Sequence, residues 1–183
     1  MKTTEEISGW FNYPNAYKFL IDSVPDGGIF VECGSWLGKS SSFLCDHAKD
    51  RIKIFIVDTW TGSESELKTT HELALKKNIY EIFLHNMGNR KFTAIKKDSI
   101  DASRDFEDEE CDVVYIDMEH TYEAVKKDIE YWLPKVKPNG IIAGHDYCDG
   151  FPGVVRAVDE KFHKSIVSIM DDITWVVHKK DIV

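Results

Sequence analysis

The chain has no closely spaced cysteine pair, no basic run longer than two residues and no long apolar stretch. Each absence argues against a class of protein. Cys33, Cys45, Cys111 and Cys148 are scattered with no C-x-x-C, so a reduced, cytoplasmic protein with incidental thiols is expected. The short basic runs and a net charge of −9 disfavour a broad phosphate-binding face, so nucleic acid is not an expected partner. No stretch approaches the roughly 20 apolar residues of a membrane span, and Met1 to Glu6 lack the apolar run of a signal peptide. Repeats and low-complexity linkers are missing too. What is present is 183 residues, 43% hydrophobic and 30% charged, enough for one domain with a sizeable core. The expectation is a single domain over 1–183, with residues 1–27 as an N-terminal helical extension.

Strand-like and helix-like segments alternate, which predicts an α/β fold with a mostly parallel sheet and helices on both faces. Helices are expected at 15–24, 38–49, 71–87, 99–106, 121–133 and 153–163. Strands are expected at 29–33, 52–57, 92–96, 111–117 and 141–144, with Pro138-Asn139-Gly140 as the turn before the last of these. The segments 165–170 and 173–178 are joined only by Asp171-Asp172. That is too short for a parallel crossover, so they should pair as an antiparallel hairpin.

Residues 28–40 carry the most information. An apolar strand runs into Glu32, then into the glycine turn Gly34-Ser35-Trp36-Leu37-Gly38, then into a helix start at Lys39-Ser40. Such a turn lets a ligand approach the backbone, and the helix N-terminus favours electron-rich groups. Asp58, at the end of the next strand, is placed to accept from both hydroxyls of a ribose. A phosphate-cradling loop needs four residues between its glycines, and Gly34 and Gly38 enclose only Ser35, Trp36 and Leu37. The dinucleotide fingerprint needs a glycine where Trp36 stands.

The remaining pattern, acid-x-Gly-x-x-x-Gly, resembles motif I of the class I S-adenosylmethionine (SAM) methyltransferases. The resemblance extends through Val57-Asp58-Thr59-Trp60, Asp117-Met118-Glu119-His120-Thr121-Tyr122-Glu123, Leu133 to Tyr147 and Gly153 to Val158. These segments are similar to the small, methyltransferase 24-like enzymes related to macrolide-sugar and rhamnosyl O-methyltransferases. The resemblance implies a Rossmann-like seven-stranded sheet with a C-terminal antiparallel hairpin. It also implies that Glu32 anchors the turn and the SAM amino group, and that Gly34 and Ser35 line the methionine part. Asp58 would hold the ribose, Trp60 would cover the adenine face, and Asp98 and Ser99 would sit at the adenine edge. Asp117 would stand beside the cofactor.

Asp117 and Asp146 end two strands expected to be neighbours, and two facing carboxylates repel unless a cation or proton lies between them. Mg²⁺ or another divalent cation would accept them. Position 145 is His, where some relatives carry a second acid, and imidazole suits Mn, Fe or Zn better than Mg. By the resemblance His120 is the general base, a role that suits a group titrating near neutrality. His145 is the competing base. The implied activity is O-methylation of a hydroxyl on a sugar or other small molecule. Two alternatives stay open: an NAD- or nucleotide-sugar-dependent enzyme on the same crevice, and a non-catalytic nucleoside-binding module. The acceptor wall must come from Ser8 to Tyr17, from the 60–70 loop, from 147–153 or from a partner subunit, which leaves a homo-oligomer open. Trp10, Phe11, Tyr13 and Tyr17 either line that wall or pack on the sheet. The polar segment Thr61 to Thr70 is expected to be a lid.

Overall fold

Strand ends that finish level with one another are what position the site. The structure, a computed structural model, describes residues 1–63, 72–171 and 173–182. Its strands are β1 (Ile29–Cys33), β2 (Lys53–Asp58), β3 (Thr93–Lys96), β4 (Cys111–Ile116), β5 (Val136–Gly144), β6 (Ser168–Met170) and β7 (Thr174–His178). They form one seven-stranded sheet in the order β3-β2-β1-β4-β5-β7-β6. The first five are parallel; β7 runs antiparallel to β5, and β6 antiparallel to β7. The expected α/β fold and C-terminal hairpin are therefore present. Cys33 is level with Val57 and with Ile116, and Ile116 is level with Gly144. The residues that follow these strands emerge side by side, where the strand order reverses between β1 and β4.

Side-chain alternation along the strands builds two cores, one on each face of the sheet. Phe30, Ile54, Ile56 and Tyr115 face α1 (Pro14–Ser23), α2 (Lys39–Ala48) and α3 (Ile79–Met87), meeting Leu20, Leu44 and Phe83. Val31, Val57, Val114 and Ile142 face α4 (Ser99–Ser103), α5 (Tyr122–Trp132) and α6 (Pro152–Lys161), meeting Ala102, Ile129 and Val158. The central strands β1 and β4 are buried along their whole length, as parallel strands covered on both faces should be. Asp171, in the β6–β7 turn, accepts from the backbone N–H of Ala16 (2.8 Å) and the Asn15 amide (2.8 Å). It thereby caps the start of α1 from the far end of the chain.

Several boundaries differ from the expected ones. The helix foreseen over 71–87 is a single 3₁₀ turn, Glu72–Leu75, followed by α3 from Ile79. The break falls at Asn78, whose extended backbone and side chain, accepting from the Glu81 N–H, start a new helix. Pro138-Asn139-Gly140 lies inside β5 rather than before it. The pairing passes from Cys111–Val136 to Val113–Ile141, so the extra residues bulge out of the strand without ending it. Helix α4 stops at Ser103, three residues early, and β6 begins only at Ser168. All four cysteines are free thiols, three of them buried packing residues. No helix among the described residues is long and apolar enough to cross a membrane.

Candidate active site

Beyond the C-terminal ends of β1, β2 and β4 opens a cavity of about 1200 Å³. Its floor is the glycine turn. Gly34 has φ +92°, and a Cβ there would lie 1.7 Å from the backbone carbonyl oxygen of Asp117. Only glycine lets the β1 and β4 loops approach this closely. Asp58, the last residue of β2, braces the turn from the side. Its Oδ2 accepts from the N–H groups of Ser35 (2.8 Å) and Trp36 (2.9 Å), and its Oδ1 from that of Trp60 (2.6 Å). The side chain of Ser35 lines the cavity, and its buried Oγ has no hydrogen-bond partner among the described residues. Such an orphaned hydroxyl marks a place for a polar ligand group.

Asp117, His120, His145 and Asp146 form the chemical end of the cavity. Nε2 of His120 lies 3.0 Å from Asp146 Oδ2 and 3.5 Å from Asp117 Oδ1. Nδ1 of His145 lies 3.2 Å from Asp146 Oδ1. Tyr13 donates its hydroxyl to Asp117 Oδ2 (3.2 Å), and its ring lies 4.1 Å from that of His145. Burial pulls the His120 pKa down, but the hydrogen bonds and charge of Asp117 and Asp146 outweigh it and hold the imidazole up at about 10. His145 is raised against the same burial by Asp146. Asp146 is itself held well below the usual carboxylate range, since its two histidines overcome its burial. At neutral pH the protonated His120 ring is therefore the positive charge between two carboxylates.

The other predicted residues divide. Asp98 and Ser99 line the cavity; Asp98 also caps α4 through the Ile100 N–H (2.9 Å), and Ser99 Oγ accepts from the Trp132 indole (2.8 Å). Glu32 and Trp60 do not line it. Glu32 shares the β1 face of Phe30, so it points under the turn, where Tyr17 (2.6 Å) and Ser41 donate to it. Trp60, at φ +52°, is 3% exposed and packs on Tyr80 and Phe83, with ring centroids at 4.6 and 4.7 Å. Both are core residues, contrary to expectation. Of the four N-terminal aromatics, Trp10, Phe11 and Tyr13 line the cavity, whereas Tyr17 is consumed by Glu32. Thr61, Gly62 and Ser63 form part of the wall; the rest of the expected lid, 64–70, lies outside the described residues.

Sequence reasoning passed over Asp128, which is 4% exposed and lines the cavity from α5. Burial pushes its carboxyl up to about 7, against a hydrogen bond from Ser99. The signal was available: Asp128 interrupts the apolar stripe Val125, Ile129, Trp132 at helical spacing. Among the described residues that line the cavity, Asp58, Asp98, Asp117, Glu119, Glu123, Asp128 and Asp146 outnumber Lys39, Lys127 and the two histidines.

The glycine turn at a strand-order reversal, the bracing Asp58 and the acid–imidazole cluster share one cavity of an α/β fold. A family model described as a methyltransferase domain matches residues 31–147, more than half of the chain. The chain belongs to that methyltransferase-domain family. An uncharacterized protein of Sinorhizobium fredii, y4gI, is 31% identical over 144 residues, which is 76% of this chain. The chain spans about 15% of that relative's length. Among solved structures, the O-methyltransferase NovP superposes with a TM-score of 0.69 at 16% identity, over 91% of this chain and 78% of that one. CalS11, a TDP-rhamnose 3'-O-methyltransferase of calicheamicin biosynthesis, gives 0.61 at 15%, over 92% and 78%. At such identities these likenesses speak for the fold alone.

Proposed function

We propose that the protein methylates a hydroxyl of a sugar or another small molecule, with His120 receiving the proton and Asp117 and Asp146 holding a divalent cation. The observation that carries this reading is the pair of carboxylates closed around one imidazole, beside the glycine turn. SAM would lie along Gly34 and Ser35 toward Asp58, where the orphaned Ser35 hydroxyl and the 1200 Å³ cavity fit it. When bound, it supplies a methyl group already activated by the sulfonium. The protein then has two tasks, alignment and removal of one proton.

Ligand atoms of Asp117, His120 and Asp146 lie within 4.8 Å of one another; the two hard carboxylates fit a divalent ion such as Mg²⁺ or Mn²⁺, with the imidazole kept for the proton. Held there, the ion would supply the positive charge that lowers the pKa of an acceptor hydroxyl. His120 accepts a proton only in its neutral form; a cation held by Asp117 and Asp146 would offset the two carboxylates that keep the ring protonated, and so would bring its pKa down and free it to act as base. Asp117 and Asp146 also orient the ring, and Tyr13 fixes Asp117 in turn. His145 shares Asp146 and is the second imidazole of the site.

The test is calorimetric titration with SAM, with Mg²⁺ and with a chelator, followed by an assay of S-adenosylhomocysteine release over a panel of sugars and phenols. Saturable SAM binding and turnover of a hydroxyl acceptor are expected. A folded protein that binds no SAM in either condition overturns the reading.

A further inference from the structure

Asp128 is a buried acid that the chemistry above does not use. It lies on α5 in the stripe of Val125, Ile129 and Trp132, and is 4% exposed. An apolar residue would suit that stripe better, because an enclosed carboxyl is costly to bury. Asp128 nevertheless lines the cavity, as do Ala124 one helical turn before it and Ser99 and Ile100 at the start of α4. Ser99 fixes its place along the sheet edge. That serine follows β3, donates to Asp128 and accepts from the Trp132 indole (2.8 Å). In the sheet β3 lies beyond β2, with Lys96 level with Asp58. A nucleoside that starts at the glycine turn after β1 and passes Asp58 on β2 therefore brings its base to the corner of Ser99 and Asp128. His145 and Asp146 follow β5, on the other side of β1 and β4.

We propose that Asp128 reads the base of the bound cofactor: its carboxyl O–H donates to N1 of adenine and its carbonyl oxygen accepts from the 6-amino group. This rests on the SAM reading above. Adenine presents an acceptor and a donor side by side on that edge, and a carboxylic acid presents the complementary pair. Burial and the negative charge of Asp98 favour the proton on Asp128 up to about pH 7, against the hydrogen bond from Ser99. Asp98, the acid expected at this edge, is exposed and turns Oδ1 to the Ile100 N–H (2.9 Å). Asp128 is enclosed, and a hydrogen bond discriminates best where water does not compete for it. The small Ala124 and the apolar Ile100 suit the faces of a planar ring. Asp128 binds and does not react.

The experiment is calorimetric titration of the full chain, just below neutral pH, with S-adenosylhomocysteine and with its 1-deaza analogue, in which C–H replaces N1. The parent should bind S-adenosylhomocysteine about tenfold more tightly than the analogue. Asp128→Leu should weaken S-adenosylhomocysteine about tenfold and bind the two ligands alike. Asp128→Asn, whose amide keeps a donor and an acceptor side by side, should hold most of the parent's preference. A purely structural role for Asp128 would leave that preference unmoved. Melting curves establish that each variant folds, and Asp128→Ala replaces Asp128→Leu if the latter does not. Two results overturn the proposal: equal affinity of the parent for both ligands, or the parent's preference surviving in the folded apolar variant. A folded parent that binds neither ligand would instead remove the SAM reading beneath it.

Discussion

Gly34 and Asp117 meet backbone to backbone: a Cβ on Gly34 would fall 1.7 Å from the Asp117 carbonyl oxygen. The contact joins the glycine turn to the strand end that carries Asp117. The Asp117 N–H donates to Cys33 (2.7 Å), and the Gly34 N–H to Val57 (2.8 Å), so neither strand end has room to withdraw. Gly34→Ala should therefore destabilise the protein by about 3 kcal/mol or more, through overpacking and a positive φ. A denaturant titration of the variant checks this; parent-like stability would mean that the turn can move.

Glu32 gives a pH dependence of defined sign. Burial, opposed by the hydrogen bonds from Ser41 and Tyr17, pushes its carboxyl from 4.5 to about 7. Below pH 4.5 it is protonated in both folded and unfolded chains and contributes nothing. Between 4.5 and 7 the unfolded chain releases the proton first, so stability falls as pH rises, by about 3 kcal/mol once complete. Glu32→Gln removes this loss. The variant's stability relative to the parent should improve from pH 5 to pH 8, measured by urea unfolding at each pH. Asp128, raised to about 7 in the same direction, leaves the variant with a residual slope of the same sign.

His120→Ala should spare SAM binding, because the ring lies at the Asp117–Asp146 end and not on the glycine turn. Turnover should fall by about 10²- to 10⁴-fold, the usual worth of a positioned base. Steady-state kinetics with calorimetry of the cofactor check both halves. Parent-like turnover would transfer the base role to His145.

Asp58→Ala deletes the acceptor for the N–H groups of Ser35, Trp36 and Trp60 together. Each charged hydrogen bond of this kind is worth about 1.5–3 kcal/mol, so SAM affinity should drop at least about tenfold as the turn loosens. Calorimetry reads the loss directly, with circular dichroism to confirm the fold.

Asp117→Ala should abolish any stimulation by Mg²⁺ or Mn²⁺, since it leaves Asp146 as the single carboxylate of the cluster. Assays with and without a chelator decide it. Stimulation that survives in the variant would place the cation elsewhere.

The sequence by itself determined the sheet, the turn and which residues stand at the strand ends. Apolar runs of the right length, those of β1, β2 and β4 ending at or followed by glycine or an acid, specify parallel strands whose ends share one edge. That is why Gly34, Asp58, Asp117 and Asp146 were legible. Tertiary structure alone decided which way the remaining side chains face. Glu32 precedes the strand end by one residue, and alternation turns it beneath the sheet to Tyr17 and Ser41. Trp60 follows Asp58 by only two residues, yet Tyr80 and Phe83, on a helix some twenty residues later, draw it into the core. The Tyr13–Asp117 bond spans 104 positions, and Asp171 caps α1 from 155 positions away. Contacts of that range have no local signature, because they depend on where packed layers bring distant segments together.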